Sequence, residues 1–309
     1  LRSREFCNLS EVVIRSNDTL QSIKDKIRVA TILGTFQSTL TNFKYLSREW
    51  GRNCEEERLL GVSLTGIMDC AITNGSKGNI KKTLNELREV AVKTNKEYAE
   101  KLGINRAAAI TCVKPSGTVS QLVDSASGIH ARHNPYYIRT VRADNKDPLC
   151  KMMKQEGFPN EPDITKPDHT TVFSFPSKSP KGAICRNDMS AWKQLSLWHT
   201  YAKEWCEHKP SVTVSVKEEE WVNTAAWVYD NFDDISGISF LPFSDHTYRQ
   251  APYQDCSEEE YKELLGKMPK KVDWSTLAKF ESQDYTSSSQ EFACTSAGGC
   301  EIVDITPTI

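Results

Sequence analysis

Cys294 and Cys300 stand near the end of the sequence, in the stretch FACTSAGGCEIV. Two thiols joined by so short and soft a tether can close into a disulfide ring. Exposed thiols that exchange easily serve thiol–disulfide exchange rather than stability; the competing reading is an inert pair in a disordered end. A third cysteine, Cys7 in FCNLSEVV, is a further candidate thiol. The strongest local constellation is ITCVKPSGTVSQL, residues 110–122. There a buried strand runs into Pro115, Ser116, Gly117, Thr118, Val119 and Ser120, and the chain then turns helical. Free backbone N–H groups, three hydroxyls and a helix N-terminus at one point suit an anionic phosphate. Gly117 lets the backbone approach a ligand closely. An ordinary capped helix start is the other reading, and neither GxxxxGK[ST] nor GxGxxG is present. Downstream, SGIHARHNPYYIRTVR gathers His130, Arg132, His133, Arg139 and Arg142. The histidines lack a second ligand pair at zinc-site distance, so we expect no metal and hydrogen-bonded loop histidines instead. The arginines would either balance phosphate charge or form a solvated basic face.

These residues need elements to hold them. Apolar residues at helical spacing from Thr19 to Trp50 predict one long or two shorter helices, with Asp18 or Thr19 as N-cap. RLLGVSLTGIMDC is an apolar segment, followed by a periodic helix from about Asn79 to Leu102 that Gly103 ends. AAAITCV reads as a short buried strand leading into KPSGTVSQL. TTVFSFP (170–176) and SVTVSV (211–216) alternate like strands, with a helix between them. A second helix in EEEWVNTAAWVYDNFDDI leads to a strand in SGISFLPFS. Strands separated by helices of this length predict crossovers and a mainly parallel sheet. After Pro252 the composition turns polar, and from about Glu281 nothing suggests regular structure. The expected division is 1–280 as one body and 281–309 as a flexible tail. Residues 283–300 would span about 23 Å as a flexible linker, against a radius of gyration of roughly 19 Å for a compact body of this size. The tail could therefore carry its thiols between the surface and an interior site.

Composition narrows the function. Basic and acidic residues nearly balance, 39 against 41, so neither nucleic acid nor a membrane surface is the expected main partner. No apolar run reaches the length of a membrane span and no signal peptide is present, which points to a cytoplasmic protein. Ten cysteines in so long a chain read mostly as free thiols, and Cys70, Cys112, Cys150, Cys185 and Cys206 as plain packing residues. The opening LRSREFCNLSEVV has no methionine and no element of its own before Cys7, so the sequence reads as a piece whose beginning is missing.

One family carries these pieces in the same order. FCNLSEVV, ERLLGVSLTGIMD, KPSGTVSQL, SGIHARHNPYYIRTVR, WCEHKPSVTVSV, SGISFLPFSDHTYRQAPY and the double-cysteine tail together resemble the C-terminal part of a monomeric adenosylcobalamin-dependent (class II) ribonucleoside-triphosphate reductase. The resemblance runs through nearly the whole chain and implies the second half of a ten-stranded α/β barrel with a flexible C-terminal redox tail. It implies adenosylcobalamin as cofactor, a ribonucleoside triphosphate as substrate and thioredoxin as reductant. Cys7 would match one of two active-site thiols that reduce the ribose, its partner lying upstream, and Cys294 and Cys300 would match the tail pair that recharges them. The family's Asn-x-Cys-x-Glu radical motif would precede Leu1, so the chain would need a missing N-terminal half and be inactive alone. The loop Pro115–Ser120 would hold substrate phosphates. The tail departs from the family in having five residues between its cysteines where four are usual. A thiol-redox or phosphate-binding module without radical chemistry, or an inactive remnant of a split gene, is the alternative.

Overall fold

A computed structural model of the chain describes residues 1–243 and 248–281, apart from the Thr118 side chain. In chain order the elements are β1 (Asn8–Val13), α1 (Leu20–Gln37), α2 (Arg48–Glu57), β2 (Leu60–Thr65), α3 (Ile80–Leu102), β3 (Thr111–Cys112), α4 (Thr118–Leu122), β4 (Tyr136–Asp144), α5 (Pro148–Gln155), β5 (Asn160–Pro162), β6 (Thr170–Lys178), α6 (Ala191–Glu204), β7 (Thr213–Val216), α7 (Trp221–Asp230), β8 (Ser239–Pro242), β9 (Tyr253–Asp255) and α8 (Glu258–Lys267). They fall into two compact units. One comprises Leu1–Arg132 with Ser179–Ser244, the other His133–Lys178 with the described part of Asp245–Ile309. The stretch 1–280, expected as one body, thus contains two.

The first unit is built on parallel strands. β1, β2 and β3 lie side by side in that order, with Glu11, Ser63 and Cys112 in one row across the sheet. Its crossover helices begin and end where side-chain chemistry dictates. Thr19 caps α1 through a reciprocal capping box with Ser22, and Asn79 caps α3 by accepting from the Lys82 amide. Gly103 ends α3 in the left-handed region. Of the one long or two shorter helices expected over 19–50, the structure has two, α1 ending at Gln37 and α2 starting at Arg48. Helical spacing points Ile23 and Ile27 of α1 and Leu84, Leu87 and Ala91 of α3 at Leu60, Val62 and Leu64 of β2. All of these are buried, and each large side chain removed from water contributes about 1.5–3 kcal/mol. α6 adds Trp198, Tyr201 and Trp205 to the same core. Their polar atoms are satisfied there: Trp205 Nε1 donates to the Cys112 carbonyl (2.8 Å) and Tyr201 Oη to the Thr73 carbonyl (2.8 Å). β7 and β8 form a second parallel pair in this unit.

The second unit corrects the expectation of a mainly parallel sheet. Its four strands run in the order β5-β6-β4-β9, and every pairing is antiparallel. β6 and β7 were expected to be linked through the helix between them, but they belong to different sheets. Alternation along a strand marks its two faces and carries no information on the direction of its neighbour, which is why the pattern misled. The fold is therefore α/β with mixed sheets. The tail from 282 onward, with Cys294 and Cys300, lies outside the described residues.

Candidate active site

The two faces of the β1-β2-β3 sheet differ in chemistry. One carries Val12, Leu60, Val62 and Leu64 into the helix-covered core. On the other, strand alternation places Leu9 and Glu11 of β1, Gly61, Ser63 and Thr65 of β2, and Cys112 of β3. Its buried hydroxyls are paired within the unit, Ser63 Oγ accepting from the Lys114 amide and Thr65 Oγ1 donating to the Ala126 carbonyl while accepting from the Gly128 amide, as buried polar groups must be. Glu11 and the thiols are the reactive groups this face carries.

Cys7, just before β1, is brought onto this face. A methyl group at Gly61 would lie 2.9 Å from Cys7 Sγ and 3.5 Å from Cys112 Sγ, so both thiols border this position, which the end of the Leu9 side chain reaches as well. Cys112, expected to be a packing residue, is fully buried, and its sulfur borders the same point as that of Cys7. His208 lies beside them, with Nε2 2.7 Å from the Leu60 carbonyl and 4.0 Å from Cys7 Sγ. Because the carbonyl can only accept, Nε2 carries the hydrogen there and offers Cys7 no base. Burial raises the Cys7 thiol above its ordinary value, with Lys114 drawing it partly back. Cys112 is pushed up to about 12 by burial and then by Cys7, with Lys114 opposing. Burial likewise raises the neighbouring Cys206 thiol. Glu11 is also raised by burial, against the pull of the Ser116 hydroxyl.

The phosphate-loop candidate leaves the carboxyl end of β3, where ligands collect in parallel α/β sheets. Its first step is anchored, since the Lys114 amide donates to Ser63 Oγ (2.9 Å). Gly117 then adopts φ +50° and ψ −119°, a conformation hostile to residues with a β-carbon, and α4 follows for a single turn. The residues divide by role. Ser120 is fully buried and its hydroxyl donates to the Gly117 carbonyl (2.8 Å), which ties the turn. Pro115, Gly117 and Val119 are exposed, and Ser116 is buried. Among the described residues, the amides of Ser116 and Gly117 donate no hydrogen bond. The loop thus offers backbone donors at an exposed turn of positive φ, with the Ser120 hydroxyl tied inside it and Ser116 buried.

The arginines prove to be committed elsewhere. Arg132 is buried and grips Asp69 with two bonds of 2.9 Å, from Nε to Oδ1 and from Nη2 to Oδ2. Its Nη1 reaches Asp124 Oδ1 at 2.8 Å. Asp69 Oδ2 also accepts from the Ala126 amide (2.9 Å), so this pair pins the segment after α4 to the end of β2. In the second unit Arg142 binds Asp163 (2.7 Å), and Arg139 lies over the Tyr253 ring and donates to the Pro252 carbonyl. His130 fits the expectation of a hydrogen-bonded loop histidine. It accepts from the Thr213 amide at Nε2 (3.0 Å) and pairs Nδ1 with the Ser127 carbonyl (3.0 Å), and burial lowers its pKa. His133, in the second unit, pairs with Asp255 and stacks on Tyr253. Among the described residues no group of three or more His, Cys, Asp or Glu side chains could hold a metal ion.

No protein-family model matches the chain. It is 28% identical over 280 residues to the adenosylcobalamin-dependent ribonucleoside-triphosphate reductase of Euglena gracilis, covering 89% of this chain and 38% of the relative. A probable enzyme of the same description from Dictyostelium discoideum is 31% identical over 296 residues, 90% of this chain and 36% of the relative. One from Lactobacillus acidophilus is 27% identical, over 85% of this chain and 39% of the relative. The chain therefore spans less than two-fifths of the length of these curated relatives. A crystal structure of a B-12 dependent (class II) ribonucleotide reductase superposes with a TM-score of 0.76 over 92% of this chain and 43% of that one, at 22% identity, which establishes the likeness of fold. Ordered motifs, fold and sequence converge: along most of its length this chain is similar to the adenosylcobalamin-dependent ribonucleoside-triphosphate reductases.

Proposed function

We propose that the chain is the C-terminal part of the catalytic barrel of an adenosylcobalamin-dependent ribonucleoside-triphosphate reductase, a cytoplasmic enzyme recharged by thioredoxin. The observation that carries this reading is the place of Cys7, a candidate redox thiol found on a polar sheet face beside the loop proposed for phosphates, within a chain similar to such reductases over most of its length. In this reading β1-β2-β3 and β7-β8 are strands of the second half of a ten-stranded barrel, and the polar face is its interior.

The residues divide the work. The Ser116–Ser120 turn presents backbone donors to the triphosphate and so fixes the ribose over the thiol face. Cys7 and a second thiol outside this chain supply two electrons and two protons; they become a disulfide as the 2′-oxygen of the ribose leaves as water. Cys294 and Cys300 then take over that disulfide by exchange and pass it to thioredoxin. Adenosylcobalamin, when bound, supplies the radical that starts the chemistry. The described residues do not identify its seat.

The test is turnover by the longest protein carrying this chain, given a ribonucleoside triphosphate, adenosylcobalamin and a dithiol. Deoxynucleotide formation that Cys7→Ser abolishes is expected. A folded, cofactor-saturated protein that forms none would overturn the reading.

A further inference from the structure

Gly61 lies in the middle strand of the thiol face, and the position its missing side chain would take is bordered by Cys7, Cys112 and the end of the Leu9 side chain. Cys7 Sγ and Cys112 Sγ are 2.9 and 3.5 Å from the point where a β-carbon would stand, so the sulfurs are no farther apart than those two distances together. A direct disulfide is poorly placed. The two cysteines flank β2 on opposite sides, and two strand spacings amount to about 9.6 Å, whereas a disulfide needs Cα atoms within about 7 Å. One atom between the sulfurs relaxes that requirement: bonds of about 2.3 Å hold two thiolates up to about 4.6 Å apart on a linear centre and closer on a pyramidal one, and rotation of the two side chains closes the remainder on binding.

We propose that Cys7 and Cys112 form a two-sulfur site for a soft, thiophilic centre such as trivalent arsenic or monovalent copper. Soft centres select thiolates over nitrogen and oxygen ligands, and His208 leaves the coordination to the sulfurs because its Nε2 hydrogen is held by the Leu60 carbonyl. The half-buried Cys7 gives the point of entry and the buried Cys112 closes the site. Leu9 is the cover: its Cδ2 stands at the same point over Gly61, and the residue is 53% exposed, so it can swing aside. With an organoarsenic oxide the chemistry balances as two As–S bonds formed, the As=O oxygen leaving as water with both thiol protons, and no change of oxidation state. An occupied site would also withhold Cys7 from the redox duty proposed above, a consequence that rests on that reading; the binding itself does not.

The experiment uses phenylarsine oxide on the reduced chain carrying Cys294→Ser and Cys300→Ser, because that pair would chelate the reagent too. One equivalent should bind, survive excess monothiol and be released by a dithiol. Mass spectrometry of the digested adduct should show a peptide containing Cys7 joined through arsenic to one containing Cys112. Gly61→Ala puts a methyl group at that position against movable side-chain ends, so the protein should keep its tryptophan fluorescence and its Cys7 reactivity towards iodoacetamide while arsenic affinity falls at least tenfold. Arsenic bridging any other cysteine pair, adducts that monothiols reverse, or undiminished affinity in Gly61→Ala would each overturn the proposal. The readout is mass and affinity, so it stands apart from whether the longer protein reduces nucleotides.

Discussion

Asp69→Asn should destabilise the first unit far more than a surface change would. Both partners of the Arg132–Asp69 pair are 3% exposed, and the pair makes two parallel bonds of 2.9 Å. Asparagine preserves the volume but replaces one acceptor by an N–H₂ group that must face either Arg132 or the Ala126 amide, both donors. The guanidinium keeps its contact to Asp124, whose side chain is 72% exposed. Removing one partner of a buried pair costs about 3–5 kcal/mol. The surviving contact to Asp124 puts the expectation near the lower limit, about 3 kcal/mol. Urea unfolding followed by tryptophan fluorescence reads this directly, because Trp198 and Trp205 are fully buried in the same unit. Replacing both partners by apolar residues of similar size, Asp69→Leu with Arg132→Met, should recover most of the loss, since the unpaired buried charge is then gone. A loss below about 1 kcal/mol, the range of exposed pairs, would refute the argument that this pair pins the loop after α4.

Three further outcomes are expected. Burial would raise the Asp163 carboxyl, but hydrogen bonds from Thr165 and Arg142 hold it down to about 2, so its contribution to stability is present above its unfolded value and lost as pH falls through about 2. Asp163→Asn should therefore flatten the acid limb of the second unit's stability between about pH 4 and pH 2; an unchanged limb in acid titrations followed by circular dichroism would contradict it. Gly117→Val places a β-branched residue at φ +50° and should weaken triphosphate binding by the value of one charged hydrogen bond or more, about 1.5–3 kcal/mol or at least tenfold; equilibrium dialysis showing unchanged affinity in a folded variant would remove the loop from the proposed site. In the longest protein carrying this chain, Cys294→Ser or Cys300→Ser should abolish repeated turnover with thioredoxin yet leave one turnover from pre-reduced protein, and equal loss of both would count against a recharging tail.

What could be read from the sequence was local. Thr19, Asn79 and Gly103 mark helix ends because a cap is a matter of three or four neighbouring residues. The same signal was available for α8, where Ser257 and Glu260 form a capping box, but the charged composition after Pro252 obscured it. The arginines of β4 were read either as phosphate-balancing charges or as a solvated basic face. Their charges are instead taken up inside the second unit, by Asp163 for Arg142 and by the Tyr253 ring and Pro252 carbonyl for Arg139. The pairing of Cys7 with Cys112 had no local signal at all. The two are separated by more than a hundred residues, and only the register of β1, β2 and β3 with a glycine at position 61 sets them on one face.

The surroundings of Cys7 bear on what it can do. An activated nucleophilic cysteine needs a base at its sulfur or a pKa brought low by positive charge. Here burial moves the thiol the other way, Lys114 only partly offsets it, and the nearest imidazole edge presents a hydrogen already given to the Leu60 carbonyl. At neutral pH Cys7 therefore keeps its proton, and Cys112 does so even more firmly. For attack on a carbonyl or phosphate this would be a poor arrangement. For a residue that must deliver hydrogen and electron together to a sugar carbon it is the required one, because a thiolate has only the electron to give. Burial raises Cys150, Cys185, Cys206 and Cys256 in the same direction, so the raised thiols of this face argue against an activated nucleophile at Cys7 and are compatible with the reaction proposed for the chain, which rests on the position of Cys7.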